Sequence, residues 1–309
     1  MKKLLSILLS FIFTIGLCGC DSPFNSKPKK AGYLLQADII SISVRSSEKY
    51  YLATSDSLVS DVETAKSLIL DSKRVNTSLN YINKLKETTG DRGYIEMTDD
   101  LSHTFKKLKS IIDNIYSLVD VALADSSNSD IELSNPDNNS SSTFKEKIDN
   151  DAREGKKYYD NFLKKYKAEK KALGDMSNCY VPESSYKDYV TQLKFILENT
   201  MRSRKYMPLE SSYLEKKFAD TQLSIVDPAL KNARLFKKNL PSDADKNVKK
   251  AVNIFIDELS MISEEYHYTS KNGSDNPDSK GYIVRPAERY SEELKEKFYD
   301  FNDTYKYIR

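Results

Sequence analysis

LSHTFKKLKSIIDNIYSLVDVA, residues 101–122, is the stretch that decides the fold. Its apolar residues follow one another at intervals of three and four, which places them along one face of an α-helix. They are Leu101, Phe105, Leu108, Ile112, Ile115, Val119 and Ala122. This unbroken face predicts a long amphipathic helix that buries one side against other helices.

The same spacing recurs in five further segments, at residues 58–82, 144–166, 186–197, 248–266 and 290–308. Residues 209–240 are also helical in character but less regular. Within them Asp227-Pro228 predicts a helix start, because a capping side chain precedes proline at the first helical position. Residues 39–44 alternate briefly, but they lie between helix-compatible stretches. We therefore predict an all-α fold, an elongated bundle of about six to eight long amphipathic helices.

The first residues of the chain have the order of a secretory signal: Lys2 and Lys3, an apolar run of about fourteen residues, then small residues. A helix that spans a bilayer takes roughly twenty apolar residues, so this run is short for a transmembrane anchor. The sequence Leu17-Cys18-Gly19-Cys20 closes the run and resembles the bacterial lipobox. That resemblance implies that Cys20 receives a diacylglycerol and becomes the first mature residue. The alternative is an uncleaved or ordinarily cleaved signal with a chance cysteine.

These features divide the chain into three parts. Residues 1–19 are predicted to be the signal peptide, 20–30 the lipidated cysteine with a polar tether, and 31–309 a helical domain of unknown function. Asp21 resembles the sorting signal that retains enterobacterial lipoproteins in the inner membrane, facing the periplasm. The predicted location is therefore the cell envelope, and the inner membrane if the source is Gram-negative. A tether of ten residues reaches at most about 35 Å, so the domain stays near the lipid surface.

Composition narrows the function classes. Removal of residues 1–19 deletes two lysines and no acids, which leaves 46 basic against 46 acidic residues. This balance gives no electrostatic footprint for nucleic acid, and we expect no nucleic-acid partner. Of the three cysteines, Cys179 is then the one without lipid in the mature chain, so we expect a packed and inert thiol there.

Motifs for familiar chemistry were not found: the sequence has no glycine-rich phosphate loop, nucleophile elbow or zinc-protease helix motif. One arrangement is weighed as a metal site. Asp100 precedes His103 by three residues and Glu264 precedes His267 by three, a spacing that di-iron bundles use. Both histidines lie off the apolar face, however, and Asp100 is placed where it could cap a helix start. We expect surface histidines, no metal and no cofactor.

Several segments carry a resemblance to a known family. They are the lipobox with Asp21, the segment 151–156 (DAREGK) leading into Tyr159, Phe162 and Leu163, and the closing segment 301–305 (FNDTY). Together they resemble the bacterial lipoproteins typified by YiiG of enterobacteria. The resemblance implies an all-helical, periplasm-facing lipoprotein, and it implies no activity or functional residue beyond Cys20.

Three hypotheses for function follow. The first is a non-enzymatic helical interaction module, anchored to the membrane through lipid, that binds another envelope protein. The second is a periplasmic bundle that binds a small ligand or a metal in its interior. The third is an enzyme of unfamiliar type, with chemistry around Cys179 or the histidines.

Overall fold

The computed structural model describes residues 26–52, 62–127, 138–205, 211–279 and 288–308. Within these ranges the chain forms eight α-helices and no strand, which confirms the predicted all-α bundle. A short 3-10 helix, Glu183–Ser185, precedes the fifth of them. In chain order the helices are α1 (Lys27–Leu52), α2 (Val62–Glu87), α3 (Arg92–Ser127), α4 (Asn138–Leu173), α5 (Tyr186–Lys205), α6 (Ser212–Asn239), α7 (Lys246–Asn272) and α8 (Glu288–Lys306).

Helix α1 lies at the centre of the bundle and packs against α2, α3, α4, α5 and α6. Between Ala31 and Val44 it carries a single charged residue, Asp38, and all the remaining residues of that segment are buried. A helix that is apolar around its whole circumference is stable only when other helices cover all its sides. The largely apolar middle of α1 is therefore covered by the helices that surround it.

The N-terminal end of α1 lies inside the range predicted as a tether. The helix begins at Lys27, and the backbone N–H of Lys30 donates to the carbonyl of Ser26 at 3.1 Å. The last four residues of the range 20–30 are therefore helical. Cys20 and Asp21 lie outside the described residues, so their predicted roles stay predictions.

The helix from which the fold was predicted behaves as expected. Leu101, Phe105, Leu108, Ile112 and Ile115 are all buried along one face of α3. This face and its flanks pack against α2 on one side and α4 on the other, and α3 with α4 forms the most extensive helix pair. At the other side of the molecule α6, α7 and α8 pack in sequence, while α5 contacts both groups.

The predicted helix start at Asp227-Pro228 is wrong, because α6 runs without a break from Ser212 to Asn239 with Pro228 in its interior. An interior proline costs a helix about 3 kcal/mol. The flanking residues Ile225, Val226, Ala229 and Leu230 are all buried. Burial of each large apolar side chain contributes roughly 1.5–3 kcal/mol, which outweighs that cost.

Among the described residues, no helix combines the length and apolar character that crossing a membrane requires.

Candidate functional site

A groove of about 890 Å³ opens between α1, α4 and α6. The connector from α4 to α5 closes one end of it. Gly174 ends α4 in a left-handed conformation, φ 73°, which glycine adopts without strain, and its N–H donates to the carbonyl of Lys170. The chain can therefore turn sharply and lay Asp175, Met176 and Ser177 along the groove. The volume falls in the range of small-molecule sites.

The floor of the groove is a hydrogen-bonded cluster around Asp38 of α1. Asn232 of α6 donates from Nδ2 to the Asp38 carboxylate at 3.0 Å and to the carbonyl of Leu35 at 3.1 Å. The Oδ1 atom of Asn232 in turn accepts from the hydroxyl of Tyr189, which lies buried on α5. One amide side chain thus connects three helices beneath the groove.

Helix α4 completes this cluster from the opposite wall. The hydroxyl of Tyr166 is hydrogen-bonded to the Asp38 carboxylate, and Lys170 donates from Nζ to the same hydroxyl at 3.3 Å. The ammonium group also lies 5.4 Å from the centre of the Tyr166 ring. The lysine is therefore held over the aromatic ring at the edge of the groove.

Burial decides the electrostatics of the floor. Loss of hydration raises the pKa of Asp38, and the bonds from Asn232 and Tyr166 and the charge of Lys170 oppose that rise without cancelling it. Burial also raises the pKa of Tyr166, and the neighbouring Asp38 adds to the effect. A carboxyl group of raised pKa accepts hydrogen bonds when it is ionised and donates one when it is protonated.

The walls of the groove carry an excess of positive charge. Five cationic side chains line it against three acidic ones, Asp38, Asp175 and Asp227. The cations are Arg45, Lys170, Lys231, Arg234 and Lys238. Arg45 is fixed in place, because its Nη2 atom donates to the hydroxyl of Ser224 at 2.9 Å. A ligand with an anionic group is thus favoured at these walls.

The beginning of α1 lies at the connector end of the groove. The N–H of Tyr180 donates to the carbonyl of Pro28 at 2.8 Å, and the charge of Lys27 acts on Asp175, a groove residue. Cys20 and Lys27 are seven positions apart, and this stretch of chain spans at most about 25 Å. A lipid on Cys20 would thus hold this end of the groove close to a membrane surface.

Cys179 lies in the same connector and is buried, as predicted. Burial raises the pKa of its thiol to about 11, and the charge of Lys238 offsets little of that rise. A nucleophilic cysteine needs a lowered pKa, so this thiol is held in its unreactive protonated form.

The first pair weighed as a metal site, Asp100 and His103, makes other contacts. Helix α3 begins at Arg92, so Asp100 lies inside the helix and the predicted capping role is wrong; the carboxylate of Asp91 instead accepts from the N–H of Gly93. Asp100 pairs with Lys165 at 2.7 Å. His103 is exposed, as predicted, and stacks on Tyr158 with ring centres 4.7 Å apart.

The second pair, Glu264 and His267, lies on α7, which does not pack beside α3. Both side chains are exposed. His267 Nε2 lies 3.0 Å from the carboxylate of Asp227, whose other oxygen accepts from Ser263 at 2.7 Å. The structure therefore does not bring the four candidates together. Nor does any group of three or more His, Cys, Asp or Glu residues in the described part of the chain have the arrangement of a metal site.

The groove residues were missed by the sequence reasoning, although one signal pointed to them. Asp38 is the single charge in the run from Ala31 to Val44, and a charge inside an apolar helix must find partners within the fold. The partners themselves, Tyr166 and Asn232, come from distant helices, and their positions follow from packing rather than from local pattern.

No family model, no curated protein and no solved structure matches the chain. The resemblance to the YiiG-like lipoproteins therefore stays a prediction.

Proposed function

We propose that the protein is a non-enzymatic, lipid-anchored envelope protein that holds a small ligand in the groove between α1, α4 and α6. This is the second of the hypotheses drawn from the sequence, in its ligand-binding rather than its metal-binding form. The observation that carries the proposal is the Asp38 cluster at the base of a groove large enough for a small molecule.

The arrangement of charges supports binding rather than simple structural pairing. A buried carboxylate needs hydrogen-bond donors or nearby cations. Asp38 is hydrogen-bonded to an amide and a phenol, the charges of Lys170 and Arg45 act on it, and it lines an open groove. Such a site can bind a ligand through a hydroxyl or amine at the floor and an anionic group at the walls.

The direct test is the identity of what the protein carries. The protein is extracted from its own cells in a mild nonionic detergent, denatured, and the released small molecules are analysed by mass spectrometry. We expect one compound in a fixed ratio to protein, retained by Lys237→Glu and depleted by Lys231→Glu. Both lysines are exposed on α6, but only Lys231 lines the groove. An equal yield of that compound from both variants, or no released compound at all, would contradict the proposal.

Binding of an envelope protein stays a prediction, and helix α8 is the surface that favours it. Tyr299 of this helix and Tyr307, directly after its last residue, are 69% and 68% exposed, and tyrosine is enriched where proteins associate. A photo-crosslinking residue at position 299 should capture one envelope protein in intact cells. The same residue at Lys164, exposed on α4, is the control and should not capture it.

A further inference from the structure

A second cavity lies beside the groove, and its lining is of a different kind. This apolar cleft, of about 350 Å³, is lined by residues of α3 and α4 and by Val44 of α1. Its apolar lining consists of Val44, Leu108, Ile111, Ile148, Ala152 and Tyr159. Lys107 also lines the cleft and pairs with Asp151 at 2.9 Å. The charged residues of the lining are Lys107, Asp149, Asp151, Arg153 and Lys156.

Tyr159 lines both the cleft and the groove, so the two cavities are neighbours. The tyrosine hydroxyl lies 3.3 Å from the hydroxyl of Ser41, a groove residue on α1. Ser41 and Val44 are three residues apart and share one face of α1, with Ser41 in the lining of the groove and Val44 in that of the cleft. Arg45, the next residue, adds a cation to the groove lining.

We propose that the two cavities together bind a single-chain anionic amphiphile, with its acyl chain in the apolar cleft and its anionic head among the cations of the groove. This inference deepens the proposed function and rests on it. The chemistry required is one hydrocarbon chain and one carboxylate or phosphate. A free fatty acid and a lysophospholipid both supply it.

Charge and polarity favour this occupant over a purely polar one. Cations line the groove in excess, and a guanidinium group presents five N–H donors, which suits a carboxylate or phosphate oxygen. The walls of the cleft are apolar, so the transfer of methylene groups from water into the cleft favours binding. An occupant with a head but no chain would leave these walls exposed, and a neutral one would leave the cations unmatched.

The test measures binding of defined probes to the full chain in a fixed concentration of nonionic detergent by native mass spectrometry. The probes are oleate, 1-oleoyl lysophosphatidate, monooleoylglycerol and glycerol 3-phosphate. We expect oleate or lysophosphatidate to bind one molecule per chain, at least about tenfold tighter than the other two. Preference for oleate identifies a fatty acid as the source, and preference for lysophosphatidate identifies a lipid headgroup.

Several outcomes would overturn the inference. If monooleoylglycerol binds as tightly as the tighter of oleate and lysophosphatidate, the anionic head contributes nothing to binding. Equal binding of glycerol 3-phosphate and lysophosphatidate would show that the acyl chain does not contribute to binding, while the proposed ligand-binding function would stand. Failure of all four probes would reject the amphiphile, and the compound released from the native protein would still decide the proposed function separately.

Matched variants test whether the acyl chain binds in the cleft and the anionic head in the groove. Ala152→Phe fills the cleft and should weaken oleate binding about tenfold, whereas Ala172→Phe, exposed on the same helix, should leave it unchanged. Lys231→Glu should weaken binding of the anionic probes and leave that of monooleoylglycerol unchanged, with Lys237→Glu as its control. Circular dichroism checks the fold of each variant. A folded Ala152→Phe or Lys231→Glu protein that binds oleate like the unsubstituted chain would contradict the placement.

Discussion

Asn232 shows how one polar side chain can hold a helical bundle in register. It is 3% exposed, and its amide bonds to groups on α1 and α5 while it belongs to α6. A buried amide is stable only when its donors and acceptors are matched, and here both ends of the amide have partners. The same residue therefore fixes the helix positions and orients the Asp38 carboxylate toward the groove.

We expect Asn232→Leu to lower the free energy of unfolding by about 2 kcal/mol, because the Tyr189 hydroxyl and the Asp38 carboxylate each lose a partner while remaining in the bundle. Urea denaturation followed by circular dichroism measures this difference. Asn253→Leu, an exposed position on α7, is the matched control and should change stability by less than about 0.5 kcal/mol. Equal stability of the two variants would show that the cluster does not support the fold.

Glu258 of α7 is a buried acid of a different kind. Its side chain is fully buried, and within the described residues neither carboxylate oxygen has a hydrogen-bond partner. Burial raises its pKa from 4.5 to about 8, while the charge of Lys297 on α8 lowers it only in part. The folded protein therefore holds this carboxyl group protonated at pH values where the unfolded chain ionises it.

The raised pKa of Glu258 gives a pH dependence of definite sign. Between pH 4.5 and about 8 the folded state binds more protons at this group than the unfolded state does. Its contribution to the free energy of unfolding therefore falls as the pH rises through that window, by on the order of 4 kcal/mol in all. Glu258→Gln removes this contribution.

Denaturation at pH 5 and at pH 8.5 tests the effect. Relative to the unsubstituted protein, Glu258→Gln should be more stable at the higher pH, and its free energy of unfolding should fall less between pH 5 and pH 8.5. Glu264→Gln, which changes an exposed acid on the same helix, should show the same fall in the free energy of unfolding as the unsubstituted protein. Parallel pH profiles for all three proteins would mean that Glu258 titrates normally.

Sequence pattern could flag Asp38 but not Glu258, and the reason is physical. Asp38 is surrounded in sequence by uncharged residues, so its burial is evident from the helix to which it belongs. Glu258 directly precedes Leu259 on the apolar face of an amphipathic helix, a position that is exposed when one neighbour covers the face. It is buried here because α5, α6 and α8 all pack on α7.

At the scale of the elements, α1 depends on close contact with the connector between α4 and α5. Gly32 lies against the backbone of Tyr180, and a Cβ atom at this position would overlap the Tyr180 carbonyl group. The hydrogen bond from Tyr180 N–H to Pro28 holds the same contact one turn earlier in α1. This contact places the connector across the end of the groove.

Gly32→Ala should therefore lower the free energy of unfolding by at least about 2 kcal/mol, since backbone must move to admit the methyl group. It should also weaken ligand binding, because the connector lines the groove. Gly90→Ala is the control, as open space surrounds that position, and it should be neutral or slightly stabilising. Chemical denaturation of both proteins measures the difference. Equal stabilities would show that α1 and the connector are not in tight contact.

The helices themselves were largely predictable, and the exceptions have identifiable causes. The spacing of apolar residues predicted α3 and α7 well, because each buries one continuous face. The capping pattern of Asp227-Pro228 predicted a helix start there, but the packing of α6 overrides the local cost of proline. The central position of α1 was not predicted, since periodicity measures the contrast between two faces and this helix is buried on all of them.

At the scale of the whole molecule, the predicted anchor and the groove impose a common orientation. Lys27 begins α1 beside the connector that closes one end of the groove. If Cys20 carries lipid, the six residues between it and Lys27 confine that end of the groove to within about 25 Å of the bilayer surface. An amphiphile leaving the membrane would then travel a short distance to reach the cationic walls.

This orientation requires acylation, which Cys20→Ser removes. We expect the variant chain to lack acyl chains and to be extracted in aqueous buffer, whereas two or more buried chains hold the unsubstituted protein on the membrane. Cys18→Ser is the matched control, because Leu17 and Gly19 keep the lipobox pattern around Cys20 and the substituted residue is removed with the signal. Mass spectrometry of the mature amino terminus measures the acyl mass directly. Membrane attachment of Cys20→Ser equal to that of Cys18→Ser would instead favour an uncleaved apolar segment as the anchor, and residues 18–26 would then connect that segment to α1.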